Sequence, residues 1–360
     1  MKVVITAGGT GGHIYPALSI IKKLKARNKD LDVLYIGTTD RMEAKLVPSK
    51  NINYEGIKMV GLNRKNPFKN VYVLVCFLKA ISRAKKILKK FNPDIVVGVG
   101  GYITLPVLYA AHKLGIKTVI HEQNSIPGLS NKLIANFADK IFVSLPGSEE
   151  YFDKKKTIFT GNPRSEEIKE VKLEPKTNLG FSKNKKLVII VMGSLGSTTV
   201  NNAMKDILLS FKGKDYEVLY ITGEAYYDEF KKLKLSSNVK IYSKREDLIQ
   251  IMKQADLIVS RAGATIISEI TGLGISSILI PSPYVTNNHQ YKNAKDLEKN
   301  GACVVLEEKD LNKKNLLAAI DNILNDKEKM IVLKTNSKKL ANTNSASVIC
   351  EEIEKIVKDR

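Results

Sequence analysis

The amino-acid sequence predicts an α/β protein of two domains, with a parallel sheet covered by helices in each half of the chain. The first observation is an apolar run from Val3 that breaks into glycines at Gly8. The second is the same pattern, an apolar run followed by glycines, over residues 187–197. Such runs, bounded by glycine turns and followed by helical periodicity, are typical of parallel strands. We therefore expect two Rossmann-like domains whose parallel sheets face each other across a cleft.

The length of 360 residues supports two domains, because one core rarely grows to accommodate so long a chain. We expect an N-terminal domain over residues 1–162 and a C-terminal domain over residues 163–340. A last helix over residues 341–360 is expected to pack back on the N-terminal domain. Asn162-Pro163 marks the predicted hinge, since the residue before a proline resists helical backbone.

Both halves alternate strands with helices, which is typical of an open, mostly parallel sheet. The first helix follows the glycines and ends near Asn28, and the segment from Leu311 onward is helical and charged. In the first half, strands are predicted from Val3 and at 32–37, 95–98, 116–122, 140–144 and 157–161. In the second half, they are predicted at 187–192, 217–222, 239–242, 256–260, 277–280 and 302–306.

Cysteine usage and hydropathy indicate where the protein works. Cys76, Cys303 and Cys350 are widely spaced and match neither a zinc site nor a disulfide framework, so we expect three buried thiols in a reducing cytoplasm. Met1-Lys2 leads directly into the first strand, so no signal peptide is expected. No apolar run reaches the roughly 18 residues that a transmembrane helix needs.

The formal net charge of +21 calls for an anionic partner or a compositional cause. The candidates are nucleic acid, an anionic membrane surface and a polyanionic substrate. Abundant lysine, isoleucine and asparagine indicate that a lysine-rich composition contributes part of the charge.

The segment from Asn63 to Pro93 is basic, contains no acidic residue and carries interleaved apolar side chains. Lys79, Arg83, Lys86 and Lys90 recur at i, i+4, i+7 and i+11, which places them on one helix face. A basic amphipathic helix suits the interface of an anionic bilayer. A core helix with a solvated lysine face is the alternative. Nucleic acid is not an expected partner, because no nucleic-acid-binding module is found and arginine is scarce.

The first glycine loop, Gly8-Gly9-Thr10-Gly11-Gly12-His13, has the composition of a phosphate-binding turn. Glycines let the backbone approach a ligand, and the following helix N-terminus offers N–H groups and positive potential. A dinucleotide-dependent oxidoreductase would need G-x-G-x-x-G and an acidic residue at the end of the second strand. Here the loop sequence does not match that motif, and the second strand ends in Gly37-Thr38-Thr39-Asp40. Both observations argue against an oxidoreductase of that class.

Six motifs together resemble the MurG family of glycosyltransferases. They are the first glycine loop, Gly98-Val99-Gly100-Gly101-Tyr102, His121-Glu122-Gln123-Asn124, Gly161-Asn162-Pro163-Arg164, Ser260 to Glu269, and Asn288 to Ala294. The resemblance implies the GT-B fold and an inverting transfer of N-acetylglucosamine from its UDP donor to the C4 hydroxyl of the muramoyl sugar of lipid I. The product is lipid II, a peptidoglycan precursor, and the family works peripherally at the cytoplasmic face of the cell membrane.

This sequence departs from the family pattern at two places. Arg164 directly follows Pro163, where the family usually has one more residue between them. Met192 and Leu195 stand where glycine and glutamine are common, in a loop whose backbone N–H groups do the binding.

The resemblance also implies the roles of individual residues. Those expected at the acceptor diphosphate are Gly9, Gly100, Gly101 and Tyr102. Those expected to bind UDP-N-acetylglucosamine are Thr10, Gly11, Gly12, Asn124, Arg164, Ser194, Arg245, Ala264, Thr265, Ile266, Ile267, Ser268, Glu269 and Gln290. Among these, Glu269 is expected at the ribose hydroxyls, and Arg164 is expected to offset the charge on departing UDP.

An inverting displacement needs a base for the acceptor hydroxyl. His13 is the first candidate, because an imidazole titrates near neutrality, and Glu122 is the alternative. A His13 that only caps the helix would have no catalytic role. No metal or other cofactor is expected, since Asp30-Leu31-Asp32 is interpreted as a turn far from the glycine loops. The competing functions are a glycolipid synthase that uses diacylglycerol and a pure binding protein.

Overall fold

The chain divides into two structural units. The structure, a computed structural model, describes residues 1–61, 70–193, 197–245, 247–342 and 344–359, without the side chains of Asn70, Lys169, Glu170 and Thr286. The first unit comprises residues 1–166 together with 344–360, and the second unit comprises residues 167–343. The boundary therefore falls a few residues beyond Pro163.

The first unit is built on a seven-stranded sheet in the order β3-β2-β1-β4-β5-β6-β7, with every pairing parallel. Its strands are β1 (Lys2–Thr6), β2 (Asp32–Thr38), β3 (Asn53–Ile57), β4 (Ile95–Gly98), β5 (Lys117–Glu122), β6 (Lys140–Val143) and β7 (Thr157–Phe159). The helices are α1 (Gly11–Arg27), α2 (Met42–Leu46), α3 (Asn70–Phe91), α4 (Thr104–Lys113), α5 (Leu129–Ala135) and α6 (Arg164–Glu170), which crosses the boundary.

Strand β3 was not predicted from the sequence. Its residues, Asn53 to Ile57, include a glutamate and a glycine, and they pair with β2 at the edge of the sheet. An edge strand faces neighbours on one side only, so it does not need the continuous apolar run that marks a central parallel strand.

The pairing of β1 with β4 fixes the position of two glycine loops. Their register aligns Thr6 with Gly98, so both strands end together at the carboxyl edge of the sheet. Val3, Val4 and Ile5 of β1 are fully buried between the helices on the two faces of the sheet. This buried pair of strands forms a rigid base for the loops that follow.

The second unit repeats the scheme with a six-stranded parallel sheet in the order β10-β9-β8-β11-β12-β13. Its strands are β8 (Lys186–Val191), β9 (Tyr216–Ile221), β10 (Val239–Tyr242), β11 (Leu257–Ser260), β12 (Ser276–Leu279) and β13 (Val304–Val305). Its helices are α7 (Thr198–Leu209), α8 (Tyr227–Phe230), α9 (Leu248–Met252), α10 (Ala264–Leu273), α11 (His289–Lys299), α12 (Lys313–Leu324) and α13 (Lys327–Lys339). The prediction of two Rossmann-like parallel units is confirmed.

The chain's last helix, α14 (Ser345–Lys358), belongs to the first unit. Ile349, Cys350 and Ile353 are buried in the core that α1 also lines. Cys76 and Cys303 are likewise buried, and all three thiols are free, as expected from their spacing. Within the described ranges, no helix combines the length and the apolar character needed to cross a bilayer.

Two carboxylates attach α14 to the rest of the first unit. Glu166 accepts hydrogen bonds from the backbone N–H and the hydroxyl of Ser347 at 2.8 and 2.6 Å, and pairs with Lys23 at 2.7 Å. Glu354 is held by two bonds from Arg27 at 3.0 and 2.9 Å. Burial alone would raise the pKa of Glu166, but the bonds from Lys23 and Ser347 outweigh it and lower that pKa. The Arg27 bond lowers the pKa of Glu354.

These lowered pKa values predict that α14 detaches in acid. A carboxylate with a lowered folded pKa contributes stability that is complete above its unfolded pKa of about 4.5 and is lost as pH falls through the folded value. We expect hydrogen exchange, corrected for the intrinsic rate, to show several-fold lower protection of α14 at about pH 4 than at about pH 7. The double variant Glu166→Gln with Glu354→Gln should lower protection at the higher pH and flatten this dependence. Equal protection of α14 in the wild type at both pH values would contradict the prediction.

Candidate active site

The first glycine loop is fixed by its own backbone. The Gly8 N–H donates to the carbonyl of Gly100 at 3.2 Å, and the Gly9 N–H donates to Glu43 Oε2 at 3.1 Å. The next residues open α1, where the N–H groups of Gly11 and Gly12 in the first turn have no intrahelical acceptor. The donors that this loop can offer an anion therefore lie at Thr10, Gly11 and Gly12, because the Gly9 N–H is already engaged by a carboxylate.

The loop after β4 packs tightly on the first loop. Gly100 and Gly101 have φ of +101° and +93°, a conformation that glycine adopts readily. A Cβ on Gly100 would lie 2.5 Å from Cδ2 of His13, and one on Gly101 would collide with the carbonyl of Gly8. The Tyr102 hydroxyl is buried and has no hydrogen-bond partner among the described residues. The two predicted loops thus form one surface at the carboxyl edge of β1 and β4.

The contacts of His13 determine its neutral tautomer. Its Nδ1 lies 3.1 Å from the carbonyl oxygen of Gly8 and 3.4 Å from Oγ1 of Thr10. A carbonyl oxygen can only accept, so Nδ1 carries the proton in the neutral ring and Nε2 carries the lone pair. The side chain is half-buried. This arrangement leaves the basic nitrogen on the side of the ring away from the Gly8 carbonyl.

Glu122 is buried and saturated with donors. Its Oε1 accepts from the N–H groups of Gln123 and Asn124 at 2.9 Å each, and from the Asn124 amide at 3.2 Å. Its Oε2 accepts from the Gly128 N–H at 3.0 Å and the Asn131 amide at 2.9 Å. A proton on either oxygen would displace a hydrogen bond that this oxygen now accepts. The geometry therefore favours a role for Glu122 in holding the 122–131 loop over a role as the general base.

His121, the neighbour of Glu122, is a buried neutral side chain. Burial lowers its pKa to about 4, although a hydrogen bond with the Gly161 carbonyl, at 3.1 Å from Nε2, opposes the effect. Its Nδ1 accepts from the Gln123 amide at 2.9 Å, and that amide also donates to the Val99 carbonyl. His121 therefore ties the end of β5 to the loop after β4 and to the Gly161 segment.

Arg164 is the residue at which the sequence departs from the family pattern. It begins α6, and its N–H donates to Oδ1 of Asn162 at 3.0 Å. Its guanidinium lies over the ring of Tyr15, 5.7 Å from the centroid. Tyr15 in turn lies beside Gly11, since a Cβ there would be 3.1 Å from the ring. The direct Pro163-Arg164 junction thus leaves the guanidinium near the start of α1.

In the second unit, the loop after β11 opens α10. Gly263 caps this helix, and Thr265 in its first turn has a buried hydroxyl without a partner in the described part of the chain. Ser268 donates to the Thr265 carbonyl at 2.6 Å, and Glu269 follows, half-buried. Of the predicted segment, Ile267 is a buried core side chain, while Ala264 and Ile266 are half-buried. A helix N-terminus with such a hydroxyl can bind an anion.

A buried ion pair that was not predicted from the sequence supports this loop. Arg261 lies 2.5 Å from Glu308, and both side chains are under a tenth exposed. Arg261 also donates to the Ile280 carbonyl at 3.1 Å and to the hydroxyl of Ser197 at 2.7 Å. It thereby joins the ends of β11 and β12 to the start of α7. No local pattern signals this contact, because it links residues far apart in the chain.

Other predicted donor-site residues lie around the same edge of the second sheet. Arg245, after β10, pairs with Asp247, and their hydrogen bond lowers the pKa of that carboxylate. Gln290 on α11 accepts from the Ser282 N–H at 2.9 Å, which leaves its NH₂ group as a donor. Asn293 donates to the Ala262 carbonyl at 3.1 Å and so joins α11 to the loop after β11. Ser194 lies outside the described residues.

The structure thus gathers the predicted residues into two groups. In the first unit they follow β1, β4 and β5, which are neighbours in the sheet, with Arg164 after β7, and in the second the described ones follow β10, β11 and β12. Besides the ion pair, Glu43 was not predicted from the sequence; it is a buried carboxylate on a five-residue helix outside every predicted motif. Within the described ranges, no cluster of three His, Cys, Asp or Glu side chains could hold a metal ion.

Comparisons with known proteins agree with this geometry. The model of the Glycosyltransferase family 28 N-terminal domain matches residues 3–143, and that of the C-terminal domain matches residues 187–353. The crystal structure of Acinetobacter baumannii MurG superposes with a TM-score of 0.80 at 25% identity, covering 98% of this chain and 99% of the other. A kitacinnamycin glycotransferase superposes with a TM-score of 0.71 at 16% identity and 99% coverage of both chains, a likeness of fold alone.

Two parallel units with glycine loops at their carboxyl edges, matched by both family 28 domains, define a glycosyltransferase of the GT-B fold. Full-length relatives refine the class. A Bacillus cereus protein named UDP-N-acetylglucosamine--N-acetylmuramyl-(pentapeptide) pyrophosphoryl-undecaprenol N-acetylglucosamine transferase 1 is 43% identical, covering 99% of this chain and 100% of the relative. A Halalkalibacterium halodurans relative, named as the same transferase, is also 43% identical, covering 100% and 99%. The chain belongs to the MurG family.

Proposed function

We propose that this protein transfers N-acetylglucosamine from UDP-N-acetylglucosamine to the C4 hydroxyl of the muramoyl sugar of lipid I, with inversion, and so makes lipid II for peptidoglycan synthesis. The observation that carries the proposal is the 43% identity, over nearly the whole length of both chains, to relatives named for this transfer. The two groups of site residues support it, because a sugar transfer needs one site for a donor and one for an acceptor.

The donor diphosphate binds at the N-terminus of α10. The partial positive charge there and the buried Thr265 hydroxyl suit a phosphate oxygen. Glu269, on the same helix face as Thr265, accepts hydrogen bonds from the ribose hydroxyls. Arg245, held by Asp247, lies beside the uracil, and the NH₂ group of Gln290 donates to the sugar hydroxyls. Ser194 contributes at the diphosphate, and Asn124 reaches the sugar.

The acceptor diphosphate binds at the loops of the first unit. Gly100 and Gly101 supply the close backbone approach, and the Tyr102 hydroxyl supplies a donor. Gly9 shapes the loop through its positive φ and keeps its N–H on Glu43. Thr10, Gly11 and Gly12 at the start of α1 offer the remaining N–H groups toward the donor.

His13 is the general base. Its Nε2 takes the proton of the C4 hydroxyl while that oxygen attacks the anomeric carbon and UDP leaves with the electrons of the broken bond. The Nδ1–H bond to the Gly8 carbonyl supports this role, because it puts the lone pair on Nε2. Glu122 holds the 122–131 loop and does not take the proton. Arg164 stabilises the charge that grows on UDP.

The membrane-facing surface lies on α3. In the N-terminal half of this helix, five apolar side chains are exposed, with Val71 at 68%, while Lys79, Lys86 and Lys90 are exposed further along. Arg83 is exposed as well but pairs with Glu55 on β3 at 3.1 Å. Residues 63–69 of the basic segment lie outside the described residues. An apolar stretch next to a lysine row suits the interface of an anionic bilayer and supports a peripheral position at the cytoplasmic face of the cell membrane. The exposed apolar residues are Val71, Tyr72, Leu74, Val75 and Leu78.

Reversing the charge of this surface should release the protein from vesicles. Replacing Lys79, Arg83, Lys86 and Lys90 by glutamate removes up to about 1 kcal/mol of attraction per basic residue near an anionic surface. We expect binding to anionic vesicles to fall at least tenfold, while activity on a short-chain acceptor persists. A matched control reverses four exposed lysines of the second unit, Lys313, Lys314, Lys327 and Lys329. Equal vesicle binding by both variants would remove α3 as the docking surface.

The transfer itself is tested by UDP release from the purified protein with UDP-N-acetylglucosamine in EDTA, with and without a short-chain lipid I analogue. Release that depends on this acceptor is the expected result. Release with diacylglycerol and not with the analogue would overturn the proposed acceptor and favour a glycolipid synthase. Activity that needed added magnesium would overturn the metal-independent mechanism.

A further inference from the structure

A buried carboxylate reaches the first glycine loop from α2. Glu43 is fully buried, and its Oε1 accepts from the backbone N–H and the hydroxyl of Thr38 at 3.1 and 2.7 Å. Its Oε2 accepts from the Gly9 N–H at 3.1 Å. Across the described residues, no cation lies within ion-pair distance of this side chain. Three hydrogen bonds therefore hold a buried acid beside the loop that carries His13.

Two glycines make this approach possible. A Cβ on Gly8 would collide with the Glu43 carboxylate, and one on Gly37 would lie 2.7 Å from its Cγ. Gly37 is the residue of β2 just before Thr38, which ends the strand and whose N–H and hydroxyl both bind Glu43. The absence of side chains at both positions thus lets the carboxylate lie directly against the loop backbone.

One peptide group connects Glu43 to His13. The Gly9 N–H, which donates to Glu43, and the Gly8 carbonyl, which accepts from His13 Nδ1 at 3.1 Å, belong to the same peptide bond. In a trans peptide these two groups point in opposite directions, and this chain contains no cis peptide bond among its described residues. A carboxylate that accepts from the N–H polarises the amide and strengthens the carbonyl as an acceptor.

We propose that Glu43 is a positioning residue for the general base, acting on His13 through the Gly8–Gly9 peptide. The chain of contacts is Glu43 Oε2, the Gly9 N–H, the Gly8 carbonyl and His13 Nδ1–H. It fixes the Nδ1–H tautomer and, when Nε2 takes the acceptor proton, stabilises the imidazolium. Glu43 itself neither gains nor loses a proton, and it does not touch substrate. The inference rests on the proposed function, in which His13 is the base.

Other titratable groups surround this chain of contacts and must be considered in any pH study. Tyr35 on β2 and Tyr54 on β3 have pKa values raised first by burial and then by Glu43, so both stay neutral. Asp40 raises the pKa of Tyr54 further. His121 on β5, with its pKa lowered to about 4, is also neutral near pH 7. Besides Glu43, Asp40 is the carboxyl side chain of this set.

The test compares Glu43→Gln with a matched control. The amide keeps the size of the side chain and can still accept from the Gly9 N–H, but it carries no charge. Glu217→Gln is the control, because Glu217 is another buried carboxylate that accepts from a backbone N–H, that of Ser182 in the second unit. Both variants are first checked for folding by thermal unfolding and for binding of UDP-N-acetylglucosamine.

We expect Glu43→Gln to lower kcat about tenfold with KM for the donor unchanged, and to move the acidic limb of the pH profile of kcat/KM down by about half a unit or more. The direction follows because removing a negative charge disfavours the imidazolium. Nitrogen-15 spectra of the ring should show a larger share of the Nε2–H tautomer. Glu217→Gln should leave the profile and the tautomer as in the wild type.

Loss of kcat with an unmoved pH profile and tautomer would reduce Glu43 to a structural role and overturn the inference. If Glu43→Gln does not fold, the wild-type spectrum decides, since a His13 ring that is mainly the Nε2–H tautomer has no bond to the Gly8 carbonyl. Thr10→Val checks that Thr10, 3.4 Å from Nδ1, is not the group that fixes the ring. Wild-type turnover in His13→Gln would instead remove His13 as the proposed base, and with it the premise of this inference, whatever Glu43 does.

Discussion

Replacing His13 by alanine is expected to lower kcat by about 10²- to 10⁴-fold, the usual contribution of a positioned general base. Affinity for UDP-N-acetylglucosamine should be unchanged, because the proposed site of the donor nucleotide is at α10 in the second unit. The acceptor hydroxyl would then lose its proton to water, which is a much weaker base than an imidazole. Steady-state kinetics with a short-chain lipid I analogue, together with equilibrium binding of the donor, measure the two effects separately.

A control separates catalysis from packing. His112→Ala removes an exposed imidazole from α4 of the same unit, where it stacks near Phe137, and should leave kcat within about twofold of the wild type. If His13 served only as a cap for α1, His13→Ala would lower the unfolding temperature without a selective loss of kcat. Recovery of activity in His13→Ala by added imidazole would support the role of His13 as the general base. Undiminished turnover would remove His13 from the mechanism.

Breaking the buried ion pair of the second unit should have the largest effect on stability. Arg261→Met leaves Glu308 as a buried charge without its cation, and such a change costs about 3–5 kcal/mol in free energy of unfolding. Glu308→Leu leaves Arg261 as a buried charge without its anionic partner. Urea unfolding, monitored by hydrogen exchange in β8, β11 and β12, measures the loss in free energy of unfolding within this unit.

The double variant tests the mechanism of this loss. Arg261→Met with Glu308→Leu removes both charges, so its free energy of unfolding should fall less than the sum of the two single changes. Its donor affinity should still fall, because Arg261 also holds the Ser197 hydroxyl at the start of α7. Lys214→Met, which breaks a partly exposed pair with Asp321, serves as the control and should cost no more than about 1 kcal/mol. An Arg261→Met variant as stable as this control would contradict the prediction.

The sequence was sufficient for the parallel sheets and for the placement of the glycine loops. Central parallel strands are buried on both faces, so Val3 to Ile5 and Leu187 to Val191 form apolar runs that end where a glycine turn begins. An edge strand does not need a continuous apolar run. For that reason β3, which contains Glu55 and Gly56, was not predicted from the sequence.

The contacts that organise the site were harder to predict. Glu43 is marked by nothing in its local sequence, because its role depends on Gly8 and Gly37 bringing two separate loops against one carboxylate. Arg261 and Glu308 meet only after β11, β12 and the following segment have assembled. The sequence offered Glu122 as the alternative base, and only the five hydrogen bonds that its carboxylate accepts in the structure indicate that it organises a loop.

The close packing of Gly8, Gly100 and Gly101 has a consequence for inhibition. Any side chain at Gly100 would displace the His13 ring, any at Gly101 would strike the Gly8 carbonyl, and any at Gly8 would strike Glu43. A compound that binds the backbone of these three residues therefore contacts a surface that a single substitution cannot reshape without disturbing the loop. Resistance to such a compound would have to arise from residues elsewhere in the protein or from changes in uptake and expression.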